Sequence, residues 1–174
     1  MTDAAAGGTT GGHGLTHYRE DGAAVMVDVS AKDVTVREAT ATGVLLTRPD
    51  VVERIASGDL PKGEAVAVAR VAGIMAAKRT HELVPLCHPL PLSGVDVDVV
   101  PSGDRVDLRA TVRTTSRTGV EMEALTAVTV AGLTVYDMIK AVDRAAVLTD
   151  VRVVAKSGGA SGTWEREADA GADA

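Results

Sequence analysis

The sequence has almost no aromatic residues: it contains no phenylalanine, one tryptophan and two tyrosines among 174 residues. Its hydrophobic content of 45% is still enough to fill the core of one domain, which must be built from Val, Leu, Ile, Met and Ala. Such small side chains fill space best when helices and sheet lie close together. The scarcity of aromatics also argues against an RNA-binding module, because such modules stack bases on exposed aromatic side chains.

Cysteine and net positive charge are scarce as well. Cys87 is the single cysteine, so no intramolecular disulfide forms, and with four histidines it does not give the ligand spacing of a closed zinc site. A formal charge of −6 argues against a general nucleic-acid binder. The sequence shows no charged-then-apolar leader and no apolar run of membrane-spanning length. We therefore expect a cytoplasmic protein that holds no metal of its own.

The two ends of the chain differ in composition from its middle. Residues 1–14 are small and Gly-rich, and residues 165–174 are acidic with no periodicity. Segments of this kind bury too little apolar surface to offset the entropy of ordering, so we expect both to be disordered. The prediction is a single domain over residues 15–164.

Hydrophobic periodicity predicts an α+β domain. Alternating β-branched residues indicate strands at 24–30, 35–47, 94–100, 104–115 and 145–156, and longer apolar segments indicate helices at 49–57, 64–83 and 120–143. Apart from the short helix at 49–57, the order from residue 35 is βαββαβ, which is the ferredoxin-like order. This order predicts an antiparallel sheet with both long helices on one face. We expect a second subunit to cover an apolar second face.

The most distinctive local feature is the stretch KGEAVAVARVAGIMAAKRTHELVPLCHPLPL at 62–92. An apolar helix leads there into a loop that holds His88 between Pro85 and Pro89. Proline fixes its own φ and restricts the residue before it, so the backbone at His88 is stiff. The same stretch contains four basic residues and thus suggests an anion-handling site: Lys62, Arg70, Lys78 and Arg79.

Two further groups of residues have both a chemical and a structural interpretation. Asp137 and Lys140 lie three apart in a predicted helix, so they form either part of a site or a weak surface ion pair. Lys62 precedes a helix start, where a bound anion would be favoured, although a solvated turn lysine is the more frequent explanation.

The second group lies near the start of the last helix and at the end of the chain. Glu121 follows Thr118 by three residues, as in a capping box, so it either caps the helix or joins Glu123 in an acidic part of a site. The loop at 156–162, KSGGASG, either exposes backbone N–H groups to phosphate oxygens or is a flexible exit into the tail.

Several strings together carry a resemblance to a known family. They are, in order, MVDVS with TVREATATG, the 62–92 stretch, RTGVEMEALTAVTVAGLTVYDMIKAVD and KSGGASGTW. From about Leu15 to Trp164 the chain resembles the cyclic pyranopterin monophosphate synthase family, MoaC, of molybdenum cofactor biosynthesis. One departure is Ile139, where the family often has Cys.

The resemblance implies an activity and an assembly. Such a lyase converts 3′,8-cyclo-7,8-dihydroguanosine triphosphate to cyclic pyranopterin monophosphate with loss of pyrophosphate. Its substrate comes from a radical S-adenosylmethionine GTP cyclase. Family members look like hexamers, trimers of dimers, with sites at subunit interfaces.

The resemblance also implies roles for individual residues. The catalytic positions map onto Lys62, Lys140, Asp137 and His88. The substrate-contact positions map onto Leu86, Cys87, His88, Glu121, Met122, Arg37 and Lys156.

Elementary chemistry agrees with these implied roles. A triphosphate needs several cations, which the lysines and Arg37 supply, with Mg²⁺ carried in on the phosphates and no cofactor held by the protein. We expect Lys62 to act as the base and Lys140 as the acid, with Asp137 orienting Lys140. A small-molecule-binding module without turnover is the alternative, because fold alone does not settle function.

Overall fold

The structure is a computed structural model, and it describes residues 24–167. The predicted disorder of residues 1–14 and of 168–174 lies outside the described residues. The predicted boundary between domain and tail falls inside a short strand, because Trp164 and Glu165 pair with Lys156 and Ala155. Ordered structure therefore continues past residue 164.

Nine elements make up the described chain. They are β1 (Thr35–Leu46), α1 (Pro49–Ser57), α2 (Ala65–Ala77), α3 (Thr80–Leu83), β2 (Leu92–Ser102), β3 (Arg105–Ser116), α4 (Glu121–Ile139), β4 (Val147–Ser157) and β5 (Trp164–Glu165). The sheet has the order β2-β3-β1-β4-β5, and every neighbouring pair is antiparallel. The predicted α+β class is confirmed, and without β5 the strand order is the ferredoxin-like one.

Helices α2 and α4 pack on one face of the sheet and against each other. The contact between them is close: a Cβ placed on Gly73 would lie 2.9 Å from the backbone oxygen of Ala127. Helix and sheet also lie close together, because a Cβ placed on Gly43 of β1 would lie 2.7 Å from a side-chain carbon of Val128 in α4. Helix α4 is long and apolar enough to cross a membrane by length and composition, but half of its most apolar window is buried inside this core.

The long helix predicted at 64–83 is wrong, because the chain forms two helices there. α2 ends at Ala77, and the hydroxyl of buried Thr80 donates a hydrogen bond to the Ala77 carbonyl at 3.0 Å. That side chain takes over a carbonyl that a continuing helix would have used. The helix predicted at 120–143 likewise ends earlier, at Ile139, so Lys140 is its C-cap.

The sheet face away from the helices mixes polar and apolar side chains. Val36, Leu46, Val100 and Val147 are exposed there among polar neighbours, so the face is not the continuous apolar surface that was predicted. Glu38 of β1 pairs with Arg113 of β3, and the hydroxyls of Thr40 and Thr111 lie 3.0 Å apart. Polar residues on alternate positions suit an antiparallel sheet with one face towards water. The outward positions of β3 continue this pattern with Arg105, Asp107 and Arg109, all exposed.

The segment 24–30, predicted as a strand, forms no ladder beyond an isolated bridge at Ala24. Its burial does alternate, with Val25, Val27 and Val29 partly buried and Met26 47% exposed. The alternation in sequence thus predicts which side chains face the protein. A strand also requires hydrogen bonds to the edge of an adjacent strand, and this segment has no such ladder.

Candidate active site

Lys62, Asp137 and Lys140 form a cluster at the C-terminal end of α4, here called the lysine–aspartate cluster. Lys62 Nζ donates to Asp137 Oδ2 at 2.5 Å and to the Asp137 backbone oxygen at 2.9 Å. Lys140 Nζ lies 2.7 Å from Asp137 Oδ1. Each carboxylate oxygen therefore holds one lysine, and Lys62 comes from a loop 75 residues earlier in the chain. The arrangement is more than a local ion pair on one helix.

The charges in this cluster shift one another's protonation. Hydrogen bonds from Lys140 and from Lys62 lower the pKa of Asp137 to about 2, and Asp137 in turn raises the pKa of Lys140. Asp137 contacts both lysines, so its proximity does not distinguish Lys62 from Lys140. The assignment of Lys62 as base and Lys140 as acid stays a prediction without that support.

A cavity of about 440 Å³, the apolar pocket, lies at the other end of α4. The loop after α3 supplies one wall, and it is shaped by a turn in which the Cys87 N–H bonds the Val84 carbonyl at 3.0 Å. The residues that line the pocket are Val84, Leu86, Cys87, His88, Leu90, Thr118, Gly119, Glu121, Met122 and Glu123. Five of the predicted site residues are thus brought together here: Leu86, Cys87, His88, Glu121 and Met122.

A second cavity of about 210 Å³, the basic pocket, adjoins the first, and both have Thr118, Gly119 and Glu121 in their walls. Lys156 Nζ lies 3.1 Å from Glu121 Oε1 and 3.2 Å from Ser161 Oγ. The lining contains the predicted Arg37 and Lys156 together with two further cations. They are Lys32 and Arg117.

Glu121 is not the capping residue that its spacing from Thr118 suggested. Val120 is the N-cap of α4, and no side chain caps that helix end. Glu121 instead pairs with Lys156 across the mouth of the basic pocket.

Two glycines shape the 156–162 loop. Gly158 and Gly159 have φ values of 90° and 71°, and a Cβ on Gly158 would clash with the backbone oxygen of Val36. The loop packs against β1 and returns into β5, so it is not a flexible exit into the tail. Gly158 and Ser161 form part of the wall of the basic pocket.

The basic residues near His88 in sequence do not gather around it. Arg70 Nε donates to the Val97 carbonyl at 2.9 Å, and Lys78 and Arg79 line neither pocket. Within one chain these bases do not line the pocket that contains His88, and an anion-handling role for them stays a prediction. Sequence reasoning missed Lys32 and Arg117 because they flank β1 and β3, whose ends meet only through the register that pairs Thr35 with Ser116.

The lysine–aspartate cluster and the two pockets are far apart within one chain. Glu121 and Asp137 lie sixteen residues apart on α4, which at 1.5 Å per residue separates them by roughly 24 Å. The residues predicted to form one site therefore fall into two groups at opposite ends of a single helix.

The sequence is similar to one known protein family over most of its length. The sequence profile of the MoaC family matches residues 26–159. The chain belongs to the MoaC family. Cyclic pyranopterin monophosphate synthase of Streptomyces griseus subsp. griseus is 62% identical over 92% of this chain and 90% of that protein. The protein of the same name from Nocardioides sp. is 63% identical over 87% and 95%. Cyclic pyranopterin monophosphate synthase 3 of Mycobacterium tuberculosis is 60% identical over 87% and 86%.

One carboxyl group of this MoaC-family chain has an unusual environment. Glu123 is 4% exposed and lines the apolar pocket, where burial and, secondarily, the charge of Glu121 raise its pKa to about 7. Burial also raises the pKa of Cys87, with the Glu123 charge as a second cause. The sequence placed Glu123 beside Glu121 in one acidic group and gave no sign that only one of them is buried.

The titratable residues that the structure describes are not arranged as metal ligands. Within residues 24–167, no group of three or more His, Cys, Asp and Glu side chains stands close enough to hold a metal ion.

Proposed function

We propose that this protein is a cyclic pyranopterin monophosphate synthase, a lyase that converts 3′,8-cyclo-7,8-dihydroguanosine triphosphate to the cyclic monophosphate and pyrophosphate. The supporting observation is the pair of adjoining pockets, one apolar and one basic, in a chain at least 60% identical to enzymes of that name. A nucleotide-derived substrate has a ring part and a phosphate part, and the two pockets match them in order. His88 and Met122 then lie at the ring part.

The basic pocket suits the triphosphate. Four cations line it, Lys32, Arg37, Arg117 and Lys156, and the triphosphate carries about four negative charges at neutral pH. Mg²⁺ reaches the site on the phosphate oxygens in this proposal, since that ion keeps several waters and binds through substrate phosphates. Equilibrium dialysis of the protein with Mg²⁺ and no nucleotide should therefore show no stoichiometric binding, and stoichiometric uptake would contradict this part.

The reaction class assigns the cations a task. A substrate oxygen bonds to the α-phosphorus while the bond from that phosphorus to the pyrophosphate oxygen breaks. Cations placed around the leaving pyrophosphate stabilise the charge that develops on it. The ring rearrangement also requires proton transfers, which we assign to Lys62 and Lys140, held in position by Asp137.

The separation of roughly 24 Å along α4 implies that one chain does not complete this site. We assign the pockets of one protomer and the lysine–aspartate cluster of a second to the same site. This division requires a homo-oligomer, and the proposed assembly is a hexamer built as three dimers.

An apolar surface suitable for that contact lies on the outer face of α2. Val68, Val71 and Met75 are 47%, 57% and 48% exposed and recur at helical spacing. The lysine–aspartate cluster lies at the start of α2, and the loop with His88 follows its end. A two-fold axis that crosses α2 places the start of one copy beside the end of the other. Such a contact unites opposite ends of two protomers.

The test is pyrophosphate release with mass detection of the cyclic monophosphate, using purified protein and the cyclised GTP-derived substrate. Lys62→Ala and His88→Ala should lose at least about 100-fold in rate, the range expected for removing a group that transfers protons. Lys78→Ala and His81→Ala are matched controls, because both residues are exposed and line neither pocket. No release by a correctly folded parent protein would contradict the proposal and favour a binding module.

A further inference from the structure

The turn after α4 contains a buried carboxylate that the proposed chemistry does not use. Asp143 is 6% exposed, and its two oxygens have separate donors. Thr47 Oγ1 donates to Oδ2 at 2.7 Å, and the Ala145 N–H donates to Oδ1 at 2.9 Å. These contacts lower the pKa of Asp143, with the Thr47 hydroxyl as the largest cause. A buried ion is costly unless it is hydrogen-bonded and paired, so the contacts hold this side chain in one place.

Arg48 adds a cation to the same group. Its Nη1 lies 3.9 Å from Asp143 Oδ1 and donates to the Val142 carbonyl at 3.2 Å. Asp50 accepts from the other side of the guanidinium, at 2.9 Å from Nε and 3.0 Å from Nη2. A guanidinium bound in this bidentate way has a fixed orientation, so Arg48 contacts both the carboxylate and the backbone of the turn. We call Asp143, Thr47 and Arg48 the turn brace.

The turn brace lies close to Lys140 along the chain. Lys140 is the C-cap of α4, three residues before Asp143. The backbone between them is compact, because the N–H groups of Val142 and Asp143 donate to one carbonyl, that of Ile139, at 2.7 and 2.9 Å. A closely packed segment of this kind transmits a shift rather than absorbing it. A displacement of Asp143 therefore displaces Lys140.

The other side of the turn brace leads to Lys62. Thr47 and Arg48 form the junction between β1 and α1, and Lys62 lies in the loop that follows α1. The hydrogen bond between Thr47 and Asp143 joins positions 96 residues apart in sequence. It therefore ties together the two segments that carry the lysines of the lysine–aspartate cluster.

The side chains of the lysine–aspartate cluster do not fix one another firmly. Those of Lys62, Asp137 and Lys140 are 44%, 52% and 53% exposed, and exposed ion pairs contribute little energy. A group that transfers a proton must lie within hydrogen-bond reach of the reacting atom, and a displacement of about 1 Å can cost about 100-fold in rate. The backbone that carries Lys140 must therefore supply its orientation.

We propose that Asp143 is a positioning residue for Lys140. Held by the Thr47 hydroxyl, it fixes the turn after α4 and so keeps Lys140 Nζ at the Asp137 carboxylate. This inference rests on the proposed function and deepens it, because it adds a residue that acts on the proton-transferring group through the backbone. Arg48 supports the same turn from its outer side.

The first measurement is the kinetics of pyrophosphate release. Thr47→Val keeps the shape of the side chain but removes the hydroxyl, so Asp143 loses a donor. We expect kcat to fall by about tenfold or more and KM to change by less than about twofold, because the pockets at the other end of α4 bind the substrate. Asp143→Asn should give the same division between kcat and KM. Thr47→Ser restores the hydroxyl and should recover at least about half of the parental kcat.

The second measurement detects the position of Lys140 without substrate. Trace acetylation with acetic anhydride at pH 8, quantified by mass spectrometry, reports the neutral fraction of each lysine amine in the assembled protein. Asp137 raises the pKa of Lys140, chiefly through their hydrogen bond, and this slows the labelling of Lys140 in the parent. In Thr47→Val and Asp143→Asn, labelling relative to exposed Lys78 should be about two- to fivefold faster, as for the loss of an exposed ion pair. Thr47→Ser should label at the parental rate.

Val97→Ala is the matched control for a general loss of stability. Val97 is 1% exposed and lies beside Gly73 of α2, so its truncation opens a cavity in the core away from the turn brace. This variant should be less stable than the parent. Its kcat and its labelling of Lys140 should match those of the parent.

The outcomes separate this inference from the proposed function. Parental kcat in both Thr47→Val and Asp143→Asn would overturn the role of Asp143. So would a lower kcat with unchanged Lys140 labelling, a KM that rises as kcat falls, or the same losses in Val97→Ala, because each indicates a purely structural role. A parent that releases no pyrophosphate contradicts the proposed function, while the labelling still decides whether Asp143 positions Lys140. If Asp143→Asn does not fold, the comparison of Thr47→Val with Thr47→Ser decides.

Discussion

Two glutamates two residues apart show how strongly position decides chemistry at the residue scale. Glu121 reaches Lys156, whereas Glu123 is buried in the apolar pocket. Successive residues of a helix turn by about 100°, so neighbours in an acidic group face different surroundings. The sequence identified both residues as candidates. It could not separate them, because burial depends on the loop after α3 that closes over one side.

The first prediction concerns Asp137, which holds both lysines of its cluster. Asp137→Asn removes the anion and should lower kcat/KM at least about 100-fold, because the lysines lose their common orientation. The measurement is the initial rate of pyrophosphate release, with exposed Asp59→Asn as the control. More than a tenth of the parental rate in Asp137→Asn would contradict the role.

The low pKa of this residue adds a second expectation. Since the pKa of Asp137 is about 2, the carboxylate stays ionised throughout the pH range of an assay. Any loss of activity between pH 5 and 6 must then come from another group. If activity falls between pH 5 and 6 in the parent but not in Asp137→Asn, Asp137 itself titrates in that range and this expectation is contradicted.

The second prediction concerns the stability contribution of Glu123. Its folded pKa of about 7 exceeds the unfolded value of 4.5, so the folded state holds the proton longer as pH rises. Between these values unfolding releases a proton, and the free energy of unfolding falls as pH rises. From pH 5 to 8 the parent should lose about 2 kcal/mol relative to Glu123→Gln.

Urea unfolding of both proteins at pH 5 and pH 8 measures this difference. All other titrating groups are shared, so they cancel in the comparison. Equal pH dependence in the two proteins would mean that Glu123 is not held as a neutral acid in the folded state.

At the scale of elements, the strands and the order of strands and helices along the chain could be predicted from the sequence. The strands β1 to β4 and the order of the two long helices follow from local periodicity, which the chain itself carries. The break after Ala77 was not readable, since the apolar composition continues and a single hydroxyl, that of Thr80, replaces a backbone bond. In segment 24–30 the alternating sequence predicts a strand, but no ladder of hydrogen bonds to an adjacent strand forms there.

The third prediction concerns the contact between α2 and α4. An added Cβ at Gly73 meets the backbone oxygen of Ala127 at 2.9 Å and the side chain of Ala131 at 3.4 Å, and a backbone atom moves only with its helix. Gly73→Ala should therefore destabilise by about 1 to 2 kcal/mol, although alanine favours the helix by about 1 kcal/mol.

Thermal and urea unfolding of Gly73→Ala measure this cost. Exposed Lys78→Ala, at the C-cap of the same helix, is the control and should stay within about 0.5 kcal/mol of the parent. If Gly73→Ala is more stable than the parent, α2 and α4 can move apart without loss of folding free energy, and the prediction is contradicted.

At the scale of the whole molecule, the sequence named the residues but not their grouping. It placed Glu121 and Asp137 on one predicted helix, and sixteen residues at 1.5 Å already separate them by roughly 24 Å. That signal was available before the structure. The basic pocket was not, because Lys32, Arg117 and Lys156 meet only through the pairing of β1 with its neighbours on both sides.

The last prediction tests whether a site draws on two protomers. Lys62→Ala disables the lysine–aspartate cluster, and His88→Ala disables the apolar pocket. When the two inactive variants are co-expressed in equal amounts, random pairing makes half of the dimers mixed, and one of the two sites in each mixed dimer has both parts intact. Activity should therefore return to about a quarter of the parental value.

Sites built within one protomer give no such recovery, because every site then keeps one lesion. Co-expression of Lys62→Ala with Asp137→Asn is the matched control. Both changes lie in the lysine–aspartate cluster, so no pairing of these variants yields an intact site, and activity should stay at background while the assembly mass matches that of the parent. Recovery in the first mixture but not in the second requires that the cluster of one chain serve the pockets of another.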